Sequence, residues 1–276
     1  TTATTFTGCT RGVGGTTADA YLTGTKVEHV VVAANHNDLA AAIDAIENHL
    51  TVMPGDPISI NGNMDHFQRV RSASQTSTTT YNRSTSYAAD RIFVLPAGAS
   101  VTQQRSTTVP DTKSLYSIAI TGASSVTTVD IGQRIESAVI NTRCRQSLVF
   151  SCYVRNESGA AFSPSLRVGT PGAADDFTTV TNRLDTTLQS CADSAWTRVY
   201  YVFDPSAYTN LANGMEVCLR VPSGSLVSGD TVRIAQFDLR PGIALAAYAA
   251  PDPVLTLLLC HRYLQSFGGA SSVVNF

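Results

Sequence analysis

The chain has 276 residues, of which 43% are apolar and only 14% are charged, and its formal net charge is −2. This length suits one large domain or two modest ones, and the apolar fraction is sufficient for a hydrophobic core. Intrinsic disorder is excluded, because disordered chains combine few apolar residues with a high net charge. The charged fraction lies well below the usual quarter. No basic stripe is present, so the sequence gives no support for nucleic-acid binding.

Residues 1–34 are turn-rich, and five glycines separate short β-prone runs there. The stretch GVGGTT is close to a dinucleotide-binding fingerprint. Thr17, however, stands where the last glycine belongs, and no strand-to-helix context follows. We therefore interpret this stretch as a turn. We predict an N-terminal β and turn-rich segment over 1–34 that ends in the strand KVEHVVVAA.

The stretch NHNDLAAAIDAIENHL is the clearest helical pattern in the sequence, and we predict a short helical segment over 35–53. An asparagine at its start can cap the helix, and Asp38 in the first turn meets the positive end of the helix dipole. Pro54 ends it. The apolar residues follow spacings of four, three and four, which is the a/d seam of a coiled coil. They are Leu39, Ile43, Ile46 and Leu50.

A helix this short is marginal alone in water, so its apolar seam needs a partner. The partner is either the β region of the same chain or the same helix in other copies. A stripe confined to a and d positions is narrower than the face that packs on a globular body, which favours self-association. We predict an oligomerising coiled coil. Mixed Leu and Ile at these positions do not distinguish two strands from three.

Residues 54–249 carry the pattern of an antiparallel, jelly-roll-like β-sandwich. Turns rich in Gly, Pro, Asn and Asp separate the candidate strands, and no helical pattern lies between them. These strands are RIFVLPA, SVTQQRS, LYSIAITG, IGQRIESAVI, SLVFSCYVR, PSLRVGT, WTRVYYVF, MEVCLRVP and TVRIAQFDL. The last strand places Val232 and Ile234 on one face and Phe237 and Leu239 on the other, so it contains a bulge or is buried on both sides.

Residues 250–276 start a further C-terminal region, and the ending GGASSVVNF suggests that more chain follows. The most apolar window, GIALAAYAAPDPVLTLLLC, is interrupted by Pro251 and Pro253 and falls short of a membrane span, so we expect no membrane insertion. The six cysteines form no C-x-x-C pair, so we expect no metal site. We interpret them as free thiols of a protein that folds in a reducing cytosol. We also expect no cofactor.

No catalytic motif is present in the sequence, which lacks a nucleophile elbow, a metalloprotease helix and a phosphate-binding loop. A glycosidase needs two carboxylates across a cleft, whereas Asp175 and Asp176 are adjacent and read as a turn. Arg134 and Glu136 lie two residues apart in a predicted strand, where we interpret them as a surface ion pair. We therefore predict a protein without enzymatic activity.

Aromatic residues remain as candidates for a ligand site, because the apolar face of a sugar ring stacks on an aromatic ring. Tyr81 and Tyr87 belong to a Ser/Thr-rich loop over 72–87, where we expect them to be exposed. Trp196 begins the strand WTRVYYVF, where the sequence favours a place in the core over a ligand platform. We take these three as candidate ligand-binding residues. Further possibilities are Tyr153, Phe177 and Tyr208.

Several stretches occur in an order that resembles the distal β-sandwich region of bacteriophage and prophage tail fibre proteins. They are ISINGNMDHFQRV, YAADRIFV, IGQRIES, SLVFSCYVR, RIAQFDLRPG and LLLCHRYLQS. The opening FTGCTRGVGGTTADAYLTGTKV also resembles a segment that precedes tail fibre shafts. Phe67 and Ile92 stand where the family motifs have tryptophan, and Leu264 stands where they have tyrosine. These replacements keep the apolar character, but no aromatic ligand site is carried over from the family.

The resemblance implies a virion component, namely a homotrimeric tail fibre that is assembled in the host bacterial cytoplasm with other tail or baseplate proteins. Its β-sandwich would be similar to a carbohydrate-binding module and would help the phage attach to host cell-surface glycans without catalysis. Three copies would multiply weak sugar contacts by avidity. Two alternatives stay open: a carbohydrate-binding module of a secreted protein, which predicts a monomer with disulfides, and a polysaccharide-degrading tailspike, which predicts bond cleavage. Within a tail fibre, the domain either contacts the host itself or is a spacer that carries a more distal tip.

Overall fold

A computed structural model of the chain describes residues 56–68, 75–78, 86–261, 265–266 and 273–274. The chain divides into the units Thr1–Thr51 and Val52–Phe276, and the described residues all belong to the second unit. The predicted segments 1–34 and 35–53, with the seam residues Leu39, Ile43, Ile46 and Leu50, lie outside the described residues, as does Tyr81. The coiled coil and the proposed domain boundaries stay predictions.

The described part of the chain is mainly β, as the sequence predicts. Its strands are β1 (Gln75–Ser77), β2 (Phe93–Ala97), β3 (Val101–Ser106), β4 (Ser117–Thr121), β5 (Thr128–Ile135), β6 (Leu148–Glu157), β7 (Ser165–Ala173), β8 (Asp176–Thr187), β9 (Trp196–Phe203), β10 (Met215–Val221), β11 (Thr231–Pro241), β12 (Gln265–Ser266) and β13 (Val273–Val274). The helices are α1 (Ser137–Arg143) and α2 (Pro253–His261), and a 3₁₀ turn spans Leu211–Asn213.

Eleven of these strands form two antiparallel sheets that face each other as a sandwich, which confirms the predicted fold class. The six-stranded sheet has the order β1-β3-β4-β11-β6-β9, and the five-stranded sheet has the order β2-β5-β10-β7-β8. Neighbours such as β4 and β11, or β5 and β10, are far apart in sequence. The chain therefore crosses repeatedly between the two sheets, as in a jelly roll.

The core lies between the sheets, because alternate residues of each strand point inward. In β10 the inward positions are all apolar and buried, while the residues between them face outward. A ring pair joins two strands of the six-stranded sheet, since Phe150 and Phe237 meet edge to face with their centroids 5.2 Å apart. The two outer faces of the sandwich are then left for solvent, ligands or covering segments.

Strand β11 contains the predicted bulge. Its pairing with β6 passes from Ala235 directly to Asp238, so two residues of β11 oppose one residue of β6. Gln236 at the bulge has a φ of 51°, in the left-handed region that few residues other than glycine adopt. The extra residue reverses the alternation. Phe237 and Leu239 therefore point into the same core as Ile234, and both are 1% exposed.

Two buried glutamines tie irregular segments to the sandwich. The Gln133 side chain on β5 accepts a hydrogen bond from the Ile60 amide at 3.0 Å and donates to the Ile60 carbonyl. The Gln103 carbonyl oxygen on β3 accepts from the Ala88 amide at 3.3 Å. Because a buried amide side chain is costly unless it is paired, these bonds fix the segments around Ile60 and Ala88 against the sheets.

Helix α1 replaces the end of a predicted strand. The sequence favours a strand that continues to Ile140, but β5 ends at Ile135 and a seven-residue helix follows. The side chain of Asp175 accepts hydrogen bonds from the Ser137 amide at 2.7 Å and from its hydroxyl at 2.9 Å. This distant carboxylate satisfies the free donors of the first turn and so favours the helix. No helix among the described residues is long and apolar enough to cross a membrane.

Candidate functional site

The outer face of the six-stranded sheet carries aromatic side chains at the edge formed by β9. In this strand Val199 and Phe203 point into the core. The alternate residues Trp196, Arg198 and Tyr200 therefore face outward. Tyr200 is 38% exposed, and Trp196 and Arg198 are half-buried. The edge strand thus offers two aromatic rings and a guanidinium group in a row.

Strand β6 extends this row across the sheet. The pairing register places Trp196 opposite Arg155 and Arg198 opposite Tyr153. Tyr153 and Arg155 are half-buried and share the outward side with the β9 residues. We call the surface formed by Tyr153, Arg155, Trp196, Arg198 and Tyr200 the aromatic face.

The guanidinium of Arg198 is fixed in place on the aromatic face. It lies over the Tyr153 ring, 5.9 Å from the centroid, within the range of a cation–π contact. Its Nη2 donates to the Ser151 hydroxyl at 3.2 Å and to the Ala246 carbonyl at 2.6 Å. Because these contacts hold the side chain before any ligand arrives, little conformational entropy remains to be lost on binding.

A carboxylate holds the second arginine of the aromatic face. Arg155 Nε lies 2.6 Å from Glu157 Oε1, and Arg233 Nη2 lies 3.0 Å from Glu157 Oε2. Burial alone would raise the pKa of Glu157, but the hydrogen bonds and charges of Arg233 and Arg155 outweigh it and hold the pKa below its usual value. Glu157 is therefore a structural counter-ion that stays ionised at neutral pH.

The Gln189 side chain fixes the backbone of the exposed Tyr200. Its Oε1 accepts a hydrogen bond from the Tyr200 amide at 2.8 Å, and its Nε2 donates to the Tyr200 carbonyl at 3.2 Å. These are the backbone groups that an edge strand leaves unpaired. The glutamine thus blocks the sheet edge at this point and fixes the backbone that carries the Tyr200 side chain.

A C-terminal strap, residues 242–252, limits the aromatic face on its other side. Tyr248 of the strap is 6% exposed, and its charged neighbours Asp238 and Arg240 on β11 are 3% and 5% exposed. Burial raises the pKa of Tyr248. Lys113 Nζ donates to the Tyr248 carbonyl at 3.2 Å and helps to hold the strap. The open part of this sheet face is therefore its β9 and β6 side.

The five-stranded sheet has a different outer face, made of cross-strand ion pairs. Asp130 lies between two arginines: its Oδ1 is 2.7 Å from Arg220 Nε and its Oδ2 is 3.1 Å from Arg167 Nη1. Arg167 Nε also lies 3.3 Å from Asp185 Oδ2. We call this surface, together with Arg134 and Glu216, the ionic face. Its charged groups already have partners within the fold.

The predicted pair of Arg134 with Glu136 is wrong. Glu136 is the N-cap residue of α1, and Arg134 Nε instead lies 2.8 Å from Glu216 Oε2, directly opposite on β10. The guanidinium carbon of Arg134 is also 5.4 Å from the Phe93 centroid and 5.3 Å from that of Phe177. Burial raises the pKa of Glu216, and the Arg134 charge only partly offsets this.

The predicted ligand residues that the structure describes do not come together. Tyr87 is half-buried, and its ring meets Phe93 of β2 edge to face with the centroids 6.4 Å apart. Strand β2 is an edge of the five-stranded sheet, whereas Trp196 begins an edge of the other sheet. Trp196 does not belong to the hydrophobic core. The core position that the sequence favours for Trp196 is therefore wrong, and the side chain is half-buried at the surface.

Tyr200 and Arg198 are the site residues that sequence reasoning missed. Their signal was present in WTRVYYVF, where a tryptophan, an arginine and a tyrosine recur at every second position. Tyr153 was only one of several aromatic possibilities. Its place on the aromatic face depends on the register between β6 and β9, which single strands do not reveal.

The described cysteines are all free and buried, namely Cys144, Cys152, Cys191, Cys218 and Cys260. Free thiols are thus confirmed for this part of the chain. Burial raises the pKa of Cys144 and of Cys260 to about 12 and that of Cys191 to about 11, so these thiols are unreactive at neutral pH. Within the described ranges no group of His, Cys, Asp or Glu side chains is arranged to hold a metal ion.

The aromatic face combines ring surfaces with hydrogen-bond donors. Aromatic rings attract flat apolar surfaces, and guanidinium groups offer several N–H donors in a fixed plane. A ligand that fits must therefore present an apolar face together with oxygen acceptors at its rim. On the ionic face Phe93 is fully buried, and Phe177 is half-buried beside the Arg134 guanidinium.

No family model matches the sequence, and no curated protein matches it. Among solved structures, the chain is similar to the C-terminal family 22 carbohydrate-binding module of Clostridium thermocellum Xyn10B, with a TM-score of 0.40 and 11% identity over 62% of this chain and 95% of that one. It is also similar to the enzymatically active domain of bacteriophage CBA120 tailspike protein 4, with a TM-score of 0.38 and 12% identity over 68% of this chain.

A third similar structure is the arabinose-bound α-L-arabinofuranosidase MgGH51, with a TM-score of 0.37 and 17% identity over 54% of this chain. The chain spans only 23% of the arabinofuranosidase and 21% of the tailspike domain. At TM-scores this low, the likenesses do not identify a ligand or a role for this chain. Its function has to be inferred from its own residues.

Proposed function

We propose that this chain is a non-enzymatic component of a phage tail fibre that attaches to host-surface glycans through its aromatic face. The observation that carries the glycan part is the row of outward rings and guanidinium groups on β9 and β6. The order of sequence motifs supports the tail fibre part. The proposed assembly is a homotrimer within the virion, in contact with other tail or baseplate proteins.

The aromatic face suits a sugar ring for a chemical reason. One side of many sugar rings carries C–H groups and packs on an aromatic ring, while the hydroxyl groups at the rim accept hydrogen bonds. Tyr200 and Trp196 would supply the stacking surfaces, and Arg198 and Arg155 would supply donors. A shallow surface of this size binds one sugar unit weakly. Three copies in one fibre would raise the affinity for a repetitive polysaccharide through avidity.

The charges near the aromatic face favour binding over catalysis. A glycosidase needs one carboxyl group that stays protonated until it acts as a general acid. Glu157 is instead paired with two arginines, and its pKa is lowered. Burial raises the pKa of Asp238 on the same side of the sheet, but this carboxylate is 3% exposed and its Oδ2 lies 2.7 Å from Arg240 Nε, so it is not accessible to a glycan. These positions support the proposal of a non-enzymatic protein.

The free thiols support assembly in a reducing compartment. The described cysteines remain unpaired, whereas a secreted module is expected to use disulfides for stability. The cytoplasm of an infected bacterium is such a compartment. We therefore place the folded chain first in the host cytoplasm and then in the virion.

The test is glycan binding by the full chain and by Tyr200→Ala. An array of bacterial surface polysaccharides should show binding by the natural chain. We expect Tyr200→Ala to bind about tenfold more weakly, since a tenfold change corresponds to about 1.4 kcal/mol and this is the scale of one lost stacking contact. Tyr200→Phe keeps the ring and should retain most of the affinity. Equal binding by Tyr200→Ala, Trp196→Ala and the natural chain would exclude the aromatic face as the site.

The same polysaccharides distinguish the two alternatives. A tailspike that degrades polysaccharide would release new reducing ends, which would contradict the proposal. A module from a secreted protein would be a monomer at every concentration, as measured by light scattering. Trimers that bind glycans without releasing reducing ends are the expected result.

A further inference from the structure

The outer face of the six-stranded sheet carries an excess of positive charge on the strands that form and border the aromatic face. Strands β6, β9 and β11 contain six charged residues, and none of them belongs to the core. They are four arginines and two carboxylates, namely Arg155, Arg198, Arg233, Arg240, Glu157 and Asp238. The whole chain, in contrast, has a net charge of −2. The ionic face has no such excess, since its three arginines are matched by three carboxylates.

Glu157 is neutralised mainly by Arg233. Arg233 Nε donates to Glu157 Oε1 at 3.2 Å and Arg233 Nη2 donates to Oε2 at 3.0 Å, so this pair is bidentate. Arg155 shares the carboxylate only through its Nε, which donates to Oε1 at 2.6 Å. The two Nη groups of Arg155 have no hydrogen-bond partner among the described residues. They form the edge of a guanidinium that binds an anion through two parallel hydrogen bonds.

The position of Arg155 in the sheet also favours an additional anion. Arg155 lies directly opposite Arg233 in the pairing of β6 with β11. Like charges at opposite positions of a sheet repel each other, and the single carboxylate of Glu157 is shared between them. On its other side Arg155 lies opposite Trp196. An anion bound to Arg155 would therefore relieve the repulsion and be held beside an aromatic ring.

Arg198 adds a second positive charge close to Arg155. Its Nη2 is occupied by the Ser151 hydroxyl and a backbone carbonyl, whereas its Nε and Nη1 have no hydrogen-bond partner in the described part of the chain. The nearby carboxylate of Asp238 is buried and lies 2.7 Å from Arg240. Arg155 and Arg198 are diagonal neighbours on paired strands, a position at which residues are about 7–8 Å apart. Two guanidinium groups with free donors thus flank one part of the aromatic face.

The carboxylates of neighbouring loops do not pair with these arginines. Asp111 accepts hydrogen bonds from the Gln236 side chain and the Lys113 amide. Asp193 accepts hydrogen bonds from the Gly159 amide and the Ser194 hydroxyl. The free donors of Arg155 and Arg198 therefore remain available to a ligand.

We infer that the aromatic face selects an acidic glycan, that is, a sugar that carries a carboxylate or a phosphate group. This inference rests on the proposed glycan site and names the class of its ligand. The sugar ring would stack on Trp196 or Tyr200, and the anionic group would accept hydrogen bonds from the Nη edge of Arg155, with Arg198 nearby. A neutral sugar can use the same rings but leaves the positive charge unmatched, and charge complementarity of this kind gives specificity.

The first test compares acidic bacterial polysaccharides on an array with the same polymers after chemical removal of their charge. In one arm the carboxyl groups are reduced to alcohols, and in the other arm phosphate groups are removed. We expect binding by the full chain to weaken at least about tenfold in one arm, because hydrogen bonds to charged groups are the stronger ones. The arm that responds identifies carboxylate or phosphate. Equal binding before and after treatment in both arms would overturn the inference.

The second test asks whether Arg155 recognises the charge. Arg155→Gln leaves Glu157 with its bidentate partner Arg233, so the variant should fold, which thermal unfolding checks. It should bind both forms of the polysaccharide more weakly, because Arg155 also supplies donors to a neutral sugar. The discriminating quantity is the ratio of the two affinities. This ratio should be at least about tenfold for the natural chain and no more than about threefold for Arg155→Gln. Equal ratios would overturn the inference.

Arg145→Gln is the matched control for Arg155→Gln. Arg145 is exposed and precedes the start of β6, whereas Arg155 lies near the other end of this strand. The two variants lose the same charge, so an effect of net charge alone would appear in both. Arg145→Gln should retain the ratio of the natural chain. A ratio that falls equally in both variants would contradict recognition by the aromatic face.

Tyr200→Ala separates a failure of this inference from a failure of the glycan site. The lost ring should weaken binding to the acidic and the uncharged form by similar factors. If both forms bind equally well and Tyr200→Ala weakens both, the glycan site stands and its preference for acidic glycans is refuted. If Tyr200→Ala and Trp196→Ala bind both forms as the natural chain does, the glycan site itself is refuted.

Discussion

The two outer faces of the sandwich differ in how they hold Arg220 and Arg198. On the ionic face, Asp130 neutralises Arg167 and Arg220 across three neighbouring strands. On the aromatic face, Arg198 lies over Tyr153 and donates to a hydroxyl and a carbonyl, both of which are neutral. Arg220 is thus paired with a carboxylate, whereas Arg198 has only neutral hydrogen-bond acceptors among the described residues and lies beside a tyrosine ring.

A charged group that is already paired within the sheet is therefore a weak candidate for a ligand contact. Cross-strand pairs of opposite charge stabilise a sheet modestly, and each partner then has less to offer a ligand. An exposed aromatic ring cannot form a cross-strand ion pair of this kind.

The largest expected effect comes from substituting Gly132 on β5, where β5 and β10 approach closely beneath the ionic face. This glycine lies between Phe93 and Cys218 on the two neighbouring strands. A Cβ at this position would overlap the Val217 carbonyl and the Cys218 backbone. Because backbone cannot rotate away, we expect Gly132→Ala to lower the free energy of unfolding by about 3 kcal/mol. Urea denaturation measures this loss.

Gly172 is the matched control for Gly132. It lies in β7, and a Cβ built on it would meet nothing within 4 Å. Gly172→Ala should change the free energy of unfolding by less than about 0.5 kcal/mol. If the two alanine variants were equally stable, the close approach of β5 and β10 at Gly132 would not constrain the ionic face as described.

The strands could largely be predicted from sequence, because alternation is a local property. The pattern MEVCLRV, for example, places apolar residues on the core side of β10, as observed. Strand β8 was missed, since it is an edge strand with mostly exposed polar residues and shows no such alternation. Helix α1 was missed for a different reason. Asp175, which supports its first turn, is 38 residues away from Ser137 in sequence.

The candidate site was less predictable than the fold, because its parts depend on register. The residue type alone makes Trp196 a candidate ligand residue. Alternation along β9 adds Arg198 and Tyr200 to the same candidate surface. The contribution of Tyr153, however, requires the pairing of β6 with β9. In the same way, Glu216 rather than Glu136 partners Arg134 because β10 lies beside β5. Contacts between strands that are far apart in sequence cannot be read from either strand alone.

The comparison of the two outer faces can be tested by changing the pH, because the pKa of one carboxylate on each face is shifted. Arg233 and Arg155 lower the pKa of Glu157, so its contribution to stability is present above its usual pKa and is lost as the pH falls. Burial raises the pKa of Glu216, so its contribution is present at low pH and is lost as the pH rises through the raised value. The two faces should therefore show pH dependences of opposite sign.

The measurement is thermal unfolding of the natural chain and of Glu157→Gln and Glu216→Gln between about pH 3 and about pH 7, the range in which glutamates titrate. The stability of the natural chain relative to Glu157→Gln should fall as the pH is lowered. Its stability relative to Glu216→Gln should rise over the same change. Slopes of the same sign for both variants would show that one of the two environments has been assigned wrongly.

The smallest expected effect concerns Gln189, which holds the exposed ring of the aromatic face through the Tyr200 backbone. Gln189→Ala removes two hydrogen bonds at an exposed edge, so we expect a loss of about 0.5–1 kcal/mol in stability. Glycan affinity should fall about two- to threefold, since the ring is retained but is less well positioned. Gln104→Ala, at an exposed glutamine on β3 of the same sheet, should change neither quantity. If Gln189→Ala left glycan binding intact while Tyr200→Ala abolished it, the Tyr200 ring would bind glycan without needing the two hydrogen bonds between Gln189 and the Tyr200 backbone. Its position would then be set by β6 alone.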